Sequence, residues 1–102
     1  GWFPDYSDAD NYLTPFFLKD NFLGNHYDNP TVNDEILEQA STTDPAARTK
    51  LIEDIQAGVA ADLSTVPYLQ GAQVAVVGKD VTGADMTLDA SFKFRYGALA
   101  KG

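Results

Sequence analysis

Acidic residues crowd the start of the chain, where Asp5, Asp8 and Asp10 follow the only tryptophan, Trp2. A carboxylate beside an indole can hold an ammonium group, through charge-assisted hydrogen bonds and a cation–π contact. The same residues equally describe a core tryptophan followed by a turn-capping aspartate. Asp8-Ala9-Asp10-Asn11 has part of the pattern of a calcium loop but lacks the glycine at its sixth position and the glutamate at its twelfth. Helix capping and a solvated acidic face account for it, so no metal or other cofactor is expected. His26, the only histidine, lies between Asn25 and Tyr27 in a turn-rich stretch, and no G-x-S-x-G motif accompanies it. It reads as a surface or capping residue, and no catalytic residue is expected. The glycines are scattered and build no phosphate cradle. Lys93 and Arg95 alternate with Phe92, Phe94 and Tyr96. Such interleaving can bind single-stranded nucleic acid, but it also describes a strand with one wet face.

Charge decides between those two readings. The 102 residues carry 15 acidic against 7 basic side chains, a net charge of −8. Phosphate neutralisation requires clustered Lys and Arg, so nucleic acid and anionic membrane surfaces are poor partners. A cationic or amine-bearing ligand suits the charge better. No cysteine is present, which excludes disulfides and thiolate metal sites. No apolar run reaches the length of a transmembrane helix, and no export signal is visible within these residues.

The elements that must position these residues follow from period and punctuation. Length and a 44% hydrophobic content predict one domain over 1–102. Gly1 to Tyr6 has strand propensity, with Pro4 confining it to an edge or bend. Ser7 and Asp8 can cap a short helix through Tyr12, Leu13 and Phe16, which Pro15 should kink or end near Leu13. Lys19 to Asn29 is loop, pinned by Phe22, Leu23 and Tyr27. Asn29-Pro30 and Asp44-Pro45 each open a helix, with a favoured cap followed by a proline at the first helical position. The first should bury Val32, Ile36, Leu37 and Ala40 and end at Ser41-Thr42-Thr43. The second should run to about Leu63, burying Leu51, Ile55, Val59 and Leu63, with Ile52 and Ala47 widening the stripe. Arg48–Glu53 and Lys50–Asp54 should pair along its surface. Gly58 costs about 1 kcal/mol against Ala, which a close helix contact would explain. The short link between the two helices predicts an antiparallel pair. Val66 to Gln70 reads as an edge strand, Ala72 to Val77 as a buried one, and Phe92 to Tyr96 as a half-buried one. The expected class is α+β, a small mixed sheet with three helices packed on it.

Taken in order, these segments resemble a known family. Gly1-Trp2-x-x-Asp5-Tyr6 is followed by Asp8-x-Asp10-Asn11-Tyr12-Leu13-x-Pro15-Phe16 and Asn25-x-Tyr27-x-Asn29-Pro30-x-Val32. Thr43-Asp44-Pro45-Ala46-Ala47-Arg48 with Leu51 and Ile52, Val66-Pro67-Tyr68-Leu69, the run from Val74 to Gly83, and Phe92 to Tyr96 complete the series. Their order and spacing are similar to the C-terminal portion of the family 5 solute-binding proteins, the oligopeptide/dipeptide-type receptors of bacterial ABC importers.

That resemblance implies part of one lobe of a two-lobed, periplasmic-binding-protein type II-like fold, with ligand held in the cleft between lobes. It implies a binding protein rather than an enzyme, working outside the cytoplasm, in the periplasm or lipid-anchored at the cell surface, with ABC permease subunits as partners. It places a peptide's α-amino group on Asp5 and makes Trp2 a wall of the cleft. Non-peptide solutes such as metal chelates or oligosaccharides remain the alternative within the family, and a stand-alone α+β interaction domain the alternative outside it. Sheet edges left bare in such a fragment would favour self-association.

Overall fold

The computed structural model describes residues 2–88 and 94–102. It contains three α-helices, α1 (Asp10–Phe17), α2 (Pro30–Ser41) and α3 (Pro45–Ala61), and a two-stranded antiparallel sheet of β1 (Val81–Thr82) and β2 (Ala100–Lys101). The coarse class is therefore α+β, with the order α-α-α-β-β and two short 3₁₀ turns, Ala84–Thr87 and Tyr96–Ala98, between the strands. The chain divides into two compact units, a helical one over Asp8–Tyr68 and a second comprising Gly1–Ser7 with Leu69–Gly102.

In the helical unit, the two proline-led starts form as their sequence dictates. The Asn29 side chain accepts from the backbone N–H groups of Thr31 and Val32, and the Asp44 side chain accepts from Ala47. Each cap satisfies donors that the first helical turn leaves without a partner. Helices α2 and α3 are antiparallel neighbours. Gly58, late in α3, meets Val32, early in α2, while Arg48, early in α3, bonds to Gln39, late in α2. A Cβ on Gly58 would stand 2.8 Å from Val32 Cγ2, so the glycine is the price of that close approach. Leu13, Val32, Ile36, Ile55 and Val59 form the core, with Phe17, Leu18, Tyr27 and Ile52 packed against it.

Several expectations fail here for identifiable reasons. Of the two outcomes expected of Pro15, the helix end near Leu13 does not occur: α1 runs through Pro15 to Phe17. Packing of Leu13 and Phe17 into the core outweighs the lost amide donor, and the Pro15 carbonyl accepts from Phe22 N–H at 2.7 Å as the chain reverses. The buried stripe of α2 is Val32, Ile36 and Gln39, leaving Leu37 and Ala40 exposed. The helix is rotated so that Gln39 can join a polar network described below. In α3 only Ile55 and Val59 are buried; Ala47 is exposed, and Leu63 lies past the helix end at φ +52°. Lys50 pairs with Asp54 at 2.5 Å as expected, but Arg48 turns to Asp8 instead of Glu53. Five residues along a helix place two side chains on different faces, so the Arg48–Glu53 spacing was unfavourable. In the loop before α2, Phe22 and Leu23 are exposed and only Tyr27 packs on the core.

In the second unit, Val81 pairs with Lys101 and Thr82 with Ala100. Gly83 follows β1 at φ +81°, where a Cβ would lie 2.1 Å from the Ala98 carbonyl oxygen, so only glycine fits. The strands expected at Gly1–Tyr6, whose first residue lies outside the described ones, at Val66–Gln70 and at Ala72–Val77 are not formed among the described residues. The last of these is largely exposed rather than buried. Of the expected strand Phe92–Tyr96, the first two residues lie outside the described ones. Phe94 and Tyr96 are exposed and stack on each other, centroids 6.0 Å apart, as the chain enters a 3₁₀ turn.

Candidate functional site

The opening segment carries the ligand-binding residues expected from sequence. Trp2 is half-buried, Pro4 is fully buried, and the chain bends from Asp5 to Asp8. Asp5 is exposed on the bend three residues after the indole. The buried proline between them fixes φ and anchors the bend. Asp5 is thus an exposed carboxylate on a bend that follows a buried proline. An exposed carboxylate on a fixed bend can accept hydrogen bonds from an ammonium or guanidinium group.

The next two acids are committed within the helical unit. Asp8 Oδ1 accepts the Asp10 backbone N–H at 2.8 Å just ahead of α1, whose N-cap position is Ala9. The Arg48 guanidinium donates to both Asp8 oxygens, at 2.9 and 2.7 Å, and also to the Gln39 backbone and side-chain oxygens. Gln39 Nε2 and the Thr14 hydroxyl in turn donate to Asp10 Oδ1. The arginine's hydrogen bonds hold the Asp8 carboxyl below its usual range. This network ties α1, α2 and α3 together, and its members are too fully engaged to serve as ligand donors. The sequence suggests Ser7 or Asp8 as the cap, but Ala9 holds the N-cap position, and the roles of Arg48 and Gln39 are not foreseen. Their only local signal was a glutamine on the apolar side of α2.

A second polar cluster closes the other end of the helix pair. The Tyr27 hydroxyl and Asn29 Nδ2 both donate to Asp62 Oδ2, at 2.8 and 2.6 Å. Asp62 caps the C-terminal end of α3, where the helix dipole disfavours a negative charge. The two donors offset that cost and hold the Asp62 carboxyl below its usual range. Burial, then the Asp62 carboxylate, pushes the Tyr27 hydroxyl up to about 12.

The helical unit also bears an apolar groove of about 580 Å³, lined by Tyr12, Leu13 and Phe17 of α1, Ile52, Gln56 and Val59 of α3, and the chain beyond α3 through Pro67. It has no charged lining residue. His26 is an exposed surface residue, as expected, at φ +58° in the loop before α2. Among the described residues no three His, Cys, Asp or Glu side chains come together as a metal site, and no helix is long and apolar enough to cross a membrane. No family model, no curated protein and no solved structure matches the chain.

Proposed function

We propose that the chain is part of the substrate-binding component of an ABC importer, of the oligopeptide/dipeptide-type family 5, and that it contributes to one lobe of a two-lobed protein. The ordered motif series from Trp2-x-x-Asp5-Tyr6 to the C-terminal aromatics carries the reading. Asp5 receives the α-amino group of a peptide and Trp2 walls the cleft beside it. The exposed Asp5 on its bend and the half-buried Trp2 are compatible with those roles. Closure of the second lobe removes water from the carboxylate–ammonium pair, which strengthens it. The protein binds and delivers; it does no covalent chemistry. It works outside the cytoplasm and hands its solute to permease subunits.

A thermal-shift screen of the protein encoded by the whole reading frame around this chain tests the ligand class. Di- to pentapeptides should raise its melting temperature, and metal chelates and oligosaccharides should leave it unchanged. Stabilisation by one of the latter alone would replace the peptide with that solute.

A further inference from the structure

The net charge of the chain sits entirely on one unit. Asp8–Tyr68 holds 11 of the 15 acidic residues and 3 of the 7 basic ones, a net −8, and those three bases are already paired with Asp28, Asp8 and Asp54. The second unit holds the other four acids and four bases and is neutral. From Leu63 to Gly78 no residue is charged. The part of that run in the neutral unit, Leu69 to Gly78, forms neither helix nor strand. Within it, burial alternates from Ala72 to Val76: Gln73 and Ala75 are half-buried, whereas Val74 and Val76 are 77% and 93% exposed, and Val77 is exposed as well. A period of two is that of a strand, here with its β-branched face turned outward. Ala72 to Val77 contains no charge and no proline, the devices that normally keep such a segment from pairing. Beside it lies a hollow of about 370 Å³ shared with Ala84, Thr87, Phe94, Tyr96 and Leu99.

We infer that Ala72–Val77 is a self-pairing segment, which joins the same segment of a second copy as an antiparallel strand about a two-fold axis. Centred on Ala75, that pairing sets Val74 of each copy opposite Val76 of the other, a favourable cross-strand pair, and brings no like charges together. A two-fold contact of identical segments closes on itself, so the product is a dimer. The hollow gives the added strand's side chains an apolar seat. Two helical units at −8 each repel, whereas the neutral unit adds no net repulsion of its own. This inference does not depend on the transport reading.

Sedimentation equilibrium of the chain from low-micromolar to near-millimolar concentration, with amide hydrogen exchange on the same samples, is the test. The expected result is a monomer–dimer equilibrium that salt strengthens by screening the acidic units. Exchange at 72–77 should slow as the dimer forms. Val76→Lys should weaken the dimer about tenfold or more, while Leu37→Lys, on the exposed face of α2, should not weaken it. Val74→Lys should repeat the effect of Val76→Lys, and both variants should keep the far-UV helical signal, because the helices lie outside this segment. A monomer at every concentration, open-ended aggregation, or a dimer indifferent to both lysine substitutions would overturn the inference.

Discussion

At the residue scale, Arg48 does the most to hold the helical unit together. It joins α3 to Asp8 ahead of α1 and to Gln39 in α2 through four hydrogen bonds, with its side chain only 29% exposed. Arg48→Ala removes the fork, leaving Asp8 to water and the buried Gln39 oxygens short of a donor. The expected loss is about 1–2 kcal/mol, less than for a fully buried pair because solvent reaches both partners. Arg48→Lys should recover only part of it, since an ammonium cannot bond two carboxylate oxygens in parallel. Urea unfolding followed by far-UV circular dichroism measures both. Tyr27 gives a second residue-scale readout. Its hydroxyl should ionise near 12, above the ordinary 10.0, so absorbance at 295 nm should show one late tyrosine that Tyr27→Phe abolishes. The stabilisation tied to this proton is complete below pH 10 and is lost as pH rises toward 12.

At the element scale, Gly58 separates intrinsic helix propensity from packing. Gly58→Ala should gain up to about 1 kcal/mol in propensity. The new methyl, however, would stand 2.8 Å from Val32 Cγ2 in the fully packed α2–α3 contact. Val32 is 1% exposed and cannot move aside cheaply, so a net loss of about 1–3 kcal/mol is expected from the shift in urea midpoint. The same elements mark what the sequence could reveal. Helices α2 and α3 were legible because Asn29-Pro30 and Asp44-Pro45 are local signals, satisfied within one turn. Which face each helix buries was less legible. Burying Gln39 instead of Leu37 depends on Arg48 and Asp10, residues far away in the chain. The strands were hardest to place. Those that form are two residues long, and their register is set by pairing across the chain rather than by their own pattern. The run from Ala72 to Val77 has the composition of a buried strand, yet most of it is exposed and it is not assigned as a strand. Of the candidate site, the opening segment was legible as a motif, while the network around Arg48 exists only once three helices meet and that around Asp62 only once the ends of α2 and α3 meet.

At the scale of the whole molecule, acid stability follows from three carboxylates. Asp8, Asp28 and Asp62 all titrate below their usual 3.8, each chiefly through a hydrogen-bonding partner, which is Arg48, Lys19 and Asn29 respectively. A depressed pKa contributes stability that is present above 3.8 and lost as pH falls through the lower folded value. The melting temperature should therefore hold down to about pH 4 and then drop. Arg48→Ala should flatten part of that drop by removing the cause of the Asp8 shift. An acid limb identical in the two proteins would show that the Asp8–Arg48 pair does not govern it.

The central proposal concerns Asp5 as an anchor for a peptide's amino terminus, and calorimetry on the protein encoded by the whole reading frame tests it most directly. Asp5→Asn should weaken peptides with a free amino terminus by tenfold or more, about 1.4 kcal/mol. The same substitution should leave N-acetylated peptides at their wild-type affinity. An equal loss for both kinds of peptide, or no loss for either, would contradict the assignment.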